Sequence, residues 1–268
     1  MGLAVGTFGT LVGAGGGFVL VPVLLLLYPD RDAEEITSIS LAVVCLNAIS
    51  GATAFGWQKR IDYRSGIAFA AATLPGALLG AYVVGFLPRT LFDAIFALVL
   101  GGIGLLLLLR RQAVVHLREP VTGRWGIARR MVTDRSGQTF FYAFDMRRAV
   151  LSTAVIGFLS SLLGIGGGVI QVPLMVSALH FPVHIATATS QFVLAFMAGE
   201  GTALHLASGV FDWDHGIPEA LLLSLGAVPG AQAGAAIARR VPAPVILRLL
   251  AASLLLVALR LGLKAAGI

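Results

Sequence analysis

The chain contains two similar glycine-rich phrases, "GAGGGFVLVP" at residues 13–22 and "GIGGGVIQVP" at residues 164–173. Both lie inside apolar stretches, about 150 positions apart. Three consecutive glycines cost a helix on the order of 3 kcal/mol relative to three alanines. In a membrane, such a loss is tolerated where the freed backbone groups find partners or line a cavity. The phrases therefore predict an interrupted helix in each half of the chain.

The composition is typical of a membrane protein rather than a soluble domain. Of the 268 residues, 57% are hydrophobic and 12% are charged, which is about half the charged fraction of an average soluble domain. The apolar runs approach the roughly 20 residues that a helix needs to cross ~30 Å of hydrocarbon. They are continuous, whereas the strands of a membrane barrel alternate over ~10 residues. We predict an all-α, polytopic transmembrane helical bundle.

Eight apolar segments divide the chain. They cover residues 3–28, 36–57, 66–86, 89–110, 148–179, 185–209, 216–238 and 242–265. The one long connection includes "RMVTDRSGQTFFYAF", a pattern typical of two short strands around a turn at Asp134–Gly137. We expect a first transmembrane repeat at 1–110, a connecting loop with a small β-hairpin at 111–147, and a second transmembrane repeat at 148–268.

The second half of the chain repeats the first beyond the glycine phrases. "TSIS" at 37–40 corresponds to "TATS" at 187–190, and "PGALLGA" at 75–81 corresponds to "PGAQAGA" at 229–235. Self-similarity at a nearly fixed offset indicates a duplicated unit. We therefore predict about eight spans in two sequence repeats, with a glycine-broken first helix in each repeat.

The distribution of basic residues predicts which side the long connection faces. The loop at 111–147 is rich in arginine, and "QKRIDYR" at 58–64 is also basic. The positive-inside rule places both in the cytoplasm, as in a multi-pass protein of the cell inner (cytoplasmic) membrane. Four crossings per half give parallel repeats, whereas re-entrant hairpins at 3–28 and 148–179 give inverted ones. The basic residues are compatible with both layouts, and we expect the parallel one.

The glycine phrases have two interpretations. Small residues let helix backbones approach closely, whereas a broken helix exposes amides at a half-helix N-terminus, where an anion can bind. Adjacent glycines point to different faces of a helix, so close packing explains three in a row less well than an interruption does. Two interruptions that meet at the repeat interface would form a substrate site near the bilayer midplane.

Polar residues within the apolar segments complete the predicted site. Their hydroxyl and amide groups can donate hydrogen bonds to an oxyanion, although a lone hydroxyl in a membrane helix often bonds its own backbone. The predicted substrate-binding residues are Gly15, Gly16, Gly17, Ser40, Asn47, Gly166, Gly167, Gly168, Gln171, Thr187, Thr189, Ser190 and Gln191. Glu200 is the carboxylate placed well inside a span, and it is a candidate for proton coupling unless the end of its helix reaches water.

Other classes of function have less support. The single cysteine, Cys45, excludes a cysteine metal cluster, and the histidines lack the spacing of a metal site, so we expect no metal and no cofactor. The apolar segments contain no nucleophile–base pair, so an enzyme is not expected. The net charge of +6 comes from arginines between spans and does not indicate a nucleic-acid partner. The alternative to a transporter is a non-transporting membrane scaffold or assembly factor.

The chain resembles the sulfite exporter family TauE/SafE, also described as toluene-sulfonate uptake permeases. The resemblance rests on "GFLSSLLGIGGGVIQVP" at 157–173, "FPVHIATATSQFVLA" at 181–195 and the paired "PGA" turns. It implies a secondary transporter that moves a small sulfur-containing or organic anion, such as sulfite, thiosulfate or a sulfonate, across a lipid membrane. The first half departs from the pattern at Ala14 and at Leu41, where the second half has Ile165 and Gln191, so the second half has more weight in the predicted site.

Overall fold

The computed structural model describes residues 1–109, 126–210 and 216–265. Six of the described helices are long and apolar enough to cross a membrane, so the prediction of a helical membrane bundle is confirmed. The elements in chain order are α1 (Gly2–Leu11), α2 (Gly17–Leu27), α3 (Ala33–Trp57), α4 (Tyr63–Val84), α5 (Arg89–Leu109), β1 (Ile127–Thr133), β2 (Thr139–Asp145), α6 (Met146–Leu163), α7 (Gly168–Ser177), α8 (Val183–Ala207), α9 (Gly216–Ala238) and α10 (Ala243–Ala265).

The described residues do not form eight continuous spans. The predicted segment 3–28 consists of α1 and α2, and the predicted segment 148–179 consists of α6 and α7. The expected interruption is thus present in both halves, at the glycine phrases. Positive φ angles, which glycine adopts at little cost, occur in the two turns at Gly13, Gly15, Gly16, Gly164, Gly166 and Gly167.

The turn after α1 reverses the chain. A Cβ atom on Gly16 would lie 2.8 Å from the carbonyl oxygen of Val5, so α2 begins beside the middle of α1 rather than beyond its end. After α2, Arg31 forms a bidentate ion pair with Glu219 in the first turn of α9, at 2.7 and 2.9 Å. The end of α2 therefore lies at the same end of the bundle as the start of α9.

The first helix of each half packs along the fourth helix of the other half, α1 along α9 and α6 along α4. Along α1 and α9, Gly2 faces Leu223 and Gly6 faces Ala227, so the two helices run in the same direction. The α6 and α4 helices pack in the same way. The α1 helix starts at the end of the bundle where α9 starts. The α2 helix ends at that same end, so it runs back alongside α1.

The second interruption has the same geometry as the first. Gly167, the counterpart of Gly16, lies against Ser160 of α6, and α7 runs back from the turn. The segment after α7 places Phe181 against Tyr142 and Phe144 of β2, with ring centroids 4.4 and 4.8 Å apart. Since β2 leads directly into α6, both ends of the α6–α7 unit lie beside the β-hairpin.

Corresponding helices of the two halves pack against each other in opposite directions. Between α3 and α8, Gly51 approaches Gln191 whereas Gly201 approaches Leu41, so the helices are antiparallel. The α5 and α10 helices are antiparallel as well. A two-fold axis that exchanges antiparallel helices is perpendicular to them. This packing contradicts the parallel layout that we expected from the sequence.

The connection between the halves contains an antiparallel hairpin in which β1 and β2 pair along their full length. In its turn, the Asp134 carboxylate accepts hydrogen bonds from the Ser136 hydroxyl and from the amides of Ser136 and Gln138. The same carboxylate binds Arg60 at 3.1 Å. The turn is therefore fastened to the segment that follows α3. Residues 110–125, which include most of the remaining connection, lie outside the described ranges.

We expect Asp134→Ala to release this turn. Burial acts to raise the pKa of Asp134, but the hydrogen bonds from Ser136 and Arg60 and from the Gln138 and Ser136 amides outweigh it and lower the pKa below its usual 3.8. The carboxylate thus stabilises the docked turn above pH ~4, and that contribution is lost as the pH falls through the lowered pKa. Removing one partner of a buried ion pair costs about 3 kcal/mol.

Tryptic cleavage after Arg135 at neutral pH measures the release. We expect cleavage of Asp134→Ala to be about 100-fold faster than that of the wild type. Thr139→Ala, on the exposed side of the hairpin, is the control and should leave the rate unchanged. Equal rates for the two variants would show that Asp134 does not hold the turn.

Candidate functional site

The two glycine-rich turns, residues 13–17 and 164–168, meet in the middle of the bundle at what we call the crossing. A Cβ atom on Gly168 would lie 2.5 Å from the carbonyl oxygen of Gly13, and one on Gly17 would lie 2.9 Å from that of Ile165. No side chain fits at these distances unless the backbone moves. The turns of the two halves are therefore in direct backbone contact.

Two glycines face the same pair of apolar side chains from opposite turns. A Cβ atom on Gly15 or on Gly166 would collide with Val44 of α3 and with Leu194 of α8. Both of these side chains are fully buried. Since α3 and α8 correspond in the repeat, the crossing is nearly symmetric in its packing.

Each turn accepts a hydrogen bond from one serine hydroxyl of the other half of the chain. Ser40 of α3 donates to the carbonyl oxygen of Gly164 at 2.8 Å, and Ser190 of α8 donates to the carbonyl oxygen of Gly13 at 3.0 Å. The four residues are buried. Each hydroxyl therefore satisfies a turn carbonyl that water does not reach.

We expect Ser40→Ala and Ser190→Ala to destabilise the protein to a similar degree. Each leaves a buried carbonyl without its hydroxyl donor, at a cost of about 1–3 kcal/mol. The measurement is thermal unfolding of the purified protein in detergent. Ser253→Ala is the control, because the Ser253 hydroxyl bonds the carbonyl of Leu250 in its own helix, at 2.8 Å. The expectation fails if either central variant unfolds at the same temperature as this control.

A polar cluster lies beside the crossing on the α1 side. Asn47 donates to the Thr10 hydroxyl and to the carbonyl oxygen of Gly15, both at 3.1 Å, and Gln191 donates to the same hydroxyl at 2.8 Å. Gly51 packs against both Thr10 and Gln191. The Gln191 Oε1 atom is buried and has no hydrogen-bond partner among the described residues.

The corresponding place on the α6 side is less polar. Ser161 corresponds to Thr10, but Leu41 and Met197 stand where the first cluster has its two amide side chains. The hydroxyls of Ser160 and Ser161 are buried and bond no other group in the described part of the chain. A buried polar group without a partner costs about 1–3 kcal/mol, so each of these hydroxyls needs a partner that the described residues do not supply.

The returning helices both begin at the crossing. Outside their own helices, no backbone acceptor engages the first amides of α2 (Gly16 and Gly17) or of α7 (Gly167 and Gly168) within the described ranges. The first amides of a helix are unpaired within it and carry the positive end of the helix dipole. Two positive helix ends, one from each half, therefore meet at the centre of the bundle.

Most of the predicted site residues lie at the crossing or in the adjoining polar cluster. They are Gly15, Gly16, Gly17, Ser40, Asn47, Gly166, Gly167, Gly168, Ser190 and Gln191. Thr187 packs its Cα against Gly13, but its hydroxyl bonds the carbonyl of His184 in its own helix, at 3.2 Å. Thr189 points elsewhere, since its hydroxyl accepts the amide of Asp62 before α4, at 3.0 Å.

Two further predicted residues have unpaired atoms. Gln171 of α7 is 1% exposed, and neither atom of its amide has a hydrogen-bond partner among the described residues. Glu200 of α8 is partly buried, and its Oε2 atom is likewise unpaired there. Glu200 occupies the position that corresponds to Ser50 of α3.

The sequence reasoning missed three polar residues near the crossing: Thr10, Ser160 and Ser161. They were not among the predicted residues because a lone hydroxyl in an apolar helix ordinarily bonds its own backbone. Their position gave a usable signal, since Thr10 and Ser161 correspond in the repeat and each precedes a glycine phrase by three residues.

Comparison with known proteins identifies the family. The family described as "Sulfite exporter TauE/SafE" matches residues 1–261. The chain is 32% identical over 267 residues to the "Probable membrane transporter protein YunE" of Bacillus subtilis (strain 168), with 97% of this chain and 94% of that protein covered. It is 26% identical over 265 residues to the "Probable membrane transporter protein MJ0441" of Methanocaldococcus jannaschii, with 95% and 90% covered.

A "Probable membrane transporter protein" of Xylella fastidiosa (strain 9a5c) is also similar, at 25% identity over 230 residues that cover 86% of this chain and 79% of that protein. No solved structure matches the chain. The family resemblance seen in the glycine phrases is confirmed, and the family and its relatives are membrane transporters rather than enzymes. The chain is thus a multi-pass membrane protein that belongs to the sulfite exporter TauE/SafE family.

Proposed function

We propose that the protein is a secondary transporter for a small sulfur-containing or organic anion, such as sulfite, thiosulfate or a sulfonate, and that it binds the anion at the crossing. The observation that carries the proposal is the meeting of two half-helix N-termini, one from each half, at Gly17 and Gly168. Unpaired amides and the positive dipole ends favour an anion there. Such a site needs no lysine or arginine in the membrane interior.

The unpaired side chains near the crossing fit the same ligand. The hydroxyls of Ser160 and Ser161 are available donors. In the polar cluster, the Thr10 hydroxyl accepts from Asn47 Nδ2 and makes a long contact of 3.5 Å, as donor, with Asn47 Oδ1. If the amide of Gln191 is rotated by half a turn, the Thr10 hydrogen can turn to Gln191 Oε1 instead. Amide oxygen and nitrogen are assigned from such networks. The rotated amide presents Nε2 as a third donor.

The described conformation holds the crossing closed. The turns and the side chains of Val44 and Leu194 are buried, so an anion reaches the amides only when the two turns separate. In transporters of repeated design, such gating occurs by motion of one repeat against the other around a fixed site. We infer that the bonds of Ser40 and Ser190 to the turns break in the open states.

We also propose that the two repeats are inverted in the membrane. The antiparallel pairing of α3 with α8 and the return of α2 and α7 to the ends where their repeats begin support this layout. At the end of the bundle that carries β1 and β2, which we call the hairpin end, Arg60, Arg135 and Arg239 line one pocket. The positive-inside rule places this end in the cytoplasm of a cell with the protein in its inner membrane.

Flux in proteoliposomes tests the transport function. Purified protein is reconstituted, and efflux of sulfite, sulfate, thiosulfate and a sulfonate is measured under an imposed potential. An inside-negative potential favours anion exit by about 2.3 kcal/mol per charge per 100 mV. We expect potential-dependent flux of at least one of these anions, with discrimination among them. If folded and inserted protein moves none of them, the proposal is wrong and the scaffold alternative gains support.

A further inference from the structure

A basic pocket opens at the hairpin end of the bundle. It has a volume of about 840 Å³ and lies between the end of α3, the end of α9 and the hairpin turn. Among the described residues, three arginines line it, namely Arg60, Arg135 and Arg239, together with one carboxylate, Asp134. Asp134 is paired with Arg60, so the pocket retains a positive charge.

We propose that this basic pocket captures the transported anion and delivers it to the crossing, so that the protein binds anions more tightly from the hairpin end than from the opposite end. The inference rests on the proposed function and adds to it a second, peripheral anion site. Clefts lined by charge of one sign concentrate ions of the opposite sign and raise their rates of association.

Polar side chains lead from the pocket toward the polar cluster beside the crossing. Gln232, which lines the pocket, donates to the hydroxyl and to the carbonyl oxygen of Ser50, both at 2.8 Å. The next residue, Gly51, packs against Gln191 and Thr10. Along α3, pocket-lining Thr53, then Ser50 and then Asn47 follow at three-residue spacing, which places them on one helix face.

The pocket wall also holds an unused donor. Arg60 is 9% exposed, and its Nη2 atom binds Asp134 at 3.1 Å. Its Nη1 atom is buried and has no hydrogen-bond partner within the described ranges. A guanidinium has five N–H donors in a fixed fork that suits an oxyanion, so Arg60 retains capacity for a second acceptor beside Asp134.

The opposite end of the bundle is less basic at the corresponding positions. Glu200 stands where the hairpin end has Ser50, Leu78 where it has Gln232, and Gly85 where it has Arg239. In addition, a Cβ atom on Gly85 would lie 2.9 Å from Glu34 Oε2. The path is therefore more basic at the hairpin end than at the opposite end. This difference changes the affinity at each face, whereas the direction of net flux still follows the electrochemical gradient.

Sided transport measurements with thiosulfate test the inference. Everted and right-side-out membrane vesicles from expressing bacteria present the two faces separately. For the double variant Arg135→Gln/Arg239→Gln, we expect the KM for entry from the hairpin end to rise about tenfold. The maximal rate of entry from the hairpin end should be retained, and the KM for entry from the opposite end should be unchanged. Arg148→Gln is the matched control, because this exposed arginine lies at the same end outside the pocket.

Collisional quenching of Trp57 provides a readout that does not depend on transport. Trp57 lines the pocket and is 76% exposed. In a protein whose other two tryptophans are changed to phenylalanine, iodide quenching should fall about threefold in the double variant, and quenching by neutral acrylamide should stay the same.

The outcomes separate the two proposals. If the double variant moves thiosulfate with the same KM as Arg148→Gln and shows the same iodide quenching, the role of the pocket is overturned and the transport function is left intact. Reduced iodide quenching in a protein that moves none of the tested anions would instead overturn the proposed function, and anion capture for transport with it.

Discussion

Gly168→Ala is expected to reduce transport about 100-fold. The new methyl group would lie 2.5 Å from the carbonyl oxygen of Gly13 and 2.7 Å from the Cα of Ala14. Both are backbone atoms, so the clash is relieved only if the two turns move apart. Overpacking of this kind costs about 1–3 kcal/mol of stability, and a displacement of about 1 Å at a binding site can cost 100-fold in rate.

The measurement is anion flux in proteoliposomes, with protein whose folding and insertion are checked by thermal unfolding. Gly102→Ala is the matched control, since Gly102 is also helical and a Cβ atom there meets nothing within 4 Å. We expect the control to transport normally. Flux of Gly168→Ala near the wild-type rate would show that close contact of the two turns is not required for function.

Gln191→Glu is expected to reduce anion flux about 1,000-fold at neutral pH. The substitution keeps the shape of the side chain and places a negative charge beside the crossing. A like charge at ~4 Å costs about 4 kcal/mol at an effective dielectric constant of 20. Protonation of the new carboxylate removes the repulsion, so flux should recover as the pH is lowered.

Gln191→Leu separates the effect of the added charge on flux from the effect of losing the amide. Leucine already occupies the corresponding position in the first repeat, at Leu41, and it removes the hydrogen bond to Thr10 without adding charge. We expect about a tenfold loss of flux, and no recovery at low pH. The anion site does not lie beside Gln191 if the glutamate variant transports as well as the leucine variant at every pH.

The sequence was sufficient to predict the helical bundle and the position of both interruptions. Hydropathy and helix propensity act over neighbouring residues, so the apolar segments and the glycine phrases could be interpreted without tertiary information. The direction of the chain after each turn could not be predicted in this way. It depends on the positive φ angles of residues such as Gly16 and Gly167 and on the packing of α2 and α7, which no local pattern specifies.

The layout of the repeats could not be predicted for a related reason. Counts of basic residues near helix ends were compatible with both layouts. The observations that support the proposed inverted layout are spatial, since α3 packs antiparallel to α8 and since Arg239 and Arg135 line the same pocket although they are far apart in the chain. Two sequence-distant arginines at one end of the bundle are visible only once α9 is placed beside the hairpin.

The candidate site could be predicted in part. Ser40 and Ser190 were chosen as donors to a ligand, and in the structure they bond the carbonyl oxygens of Gly164 and Gly13. Thr189 is next to Ser190 in the chain but points to Asp62, because successive residues of a helix are turned by about 100°. Helix rotation relative to the core therefore decides which hydroxyl faces the crossing, and a short polar run does not fix that rotation.

The most direct test of the central claim is to locate the bound anion. Selenite, a heavy analogue of sulfite, should compete for transport, and crystals grown with it should show an anomalous selenium peak. We expect that peak within hydrogen-bonding reach of the first amides of α2 and α7, near Gly17 and Gly168. A protein that transports selenite but holds it at another place in the membrane interior, with the two turns still in contact, would contradict the proposed site.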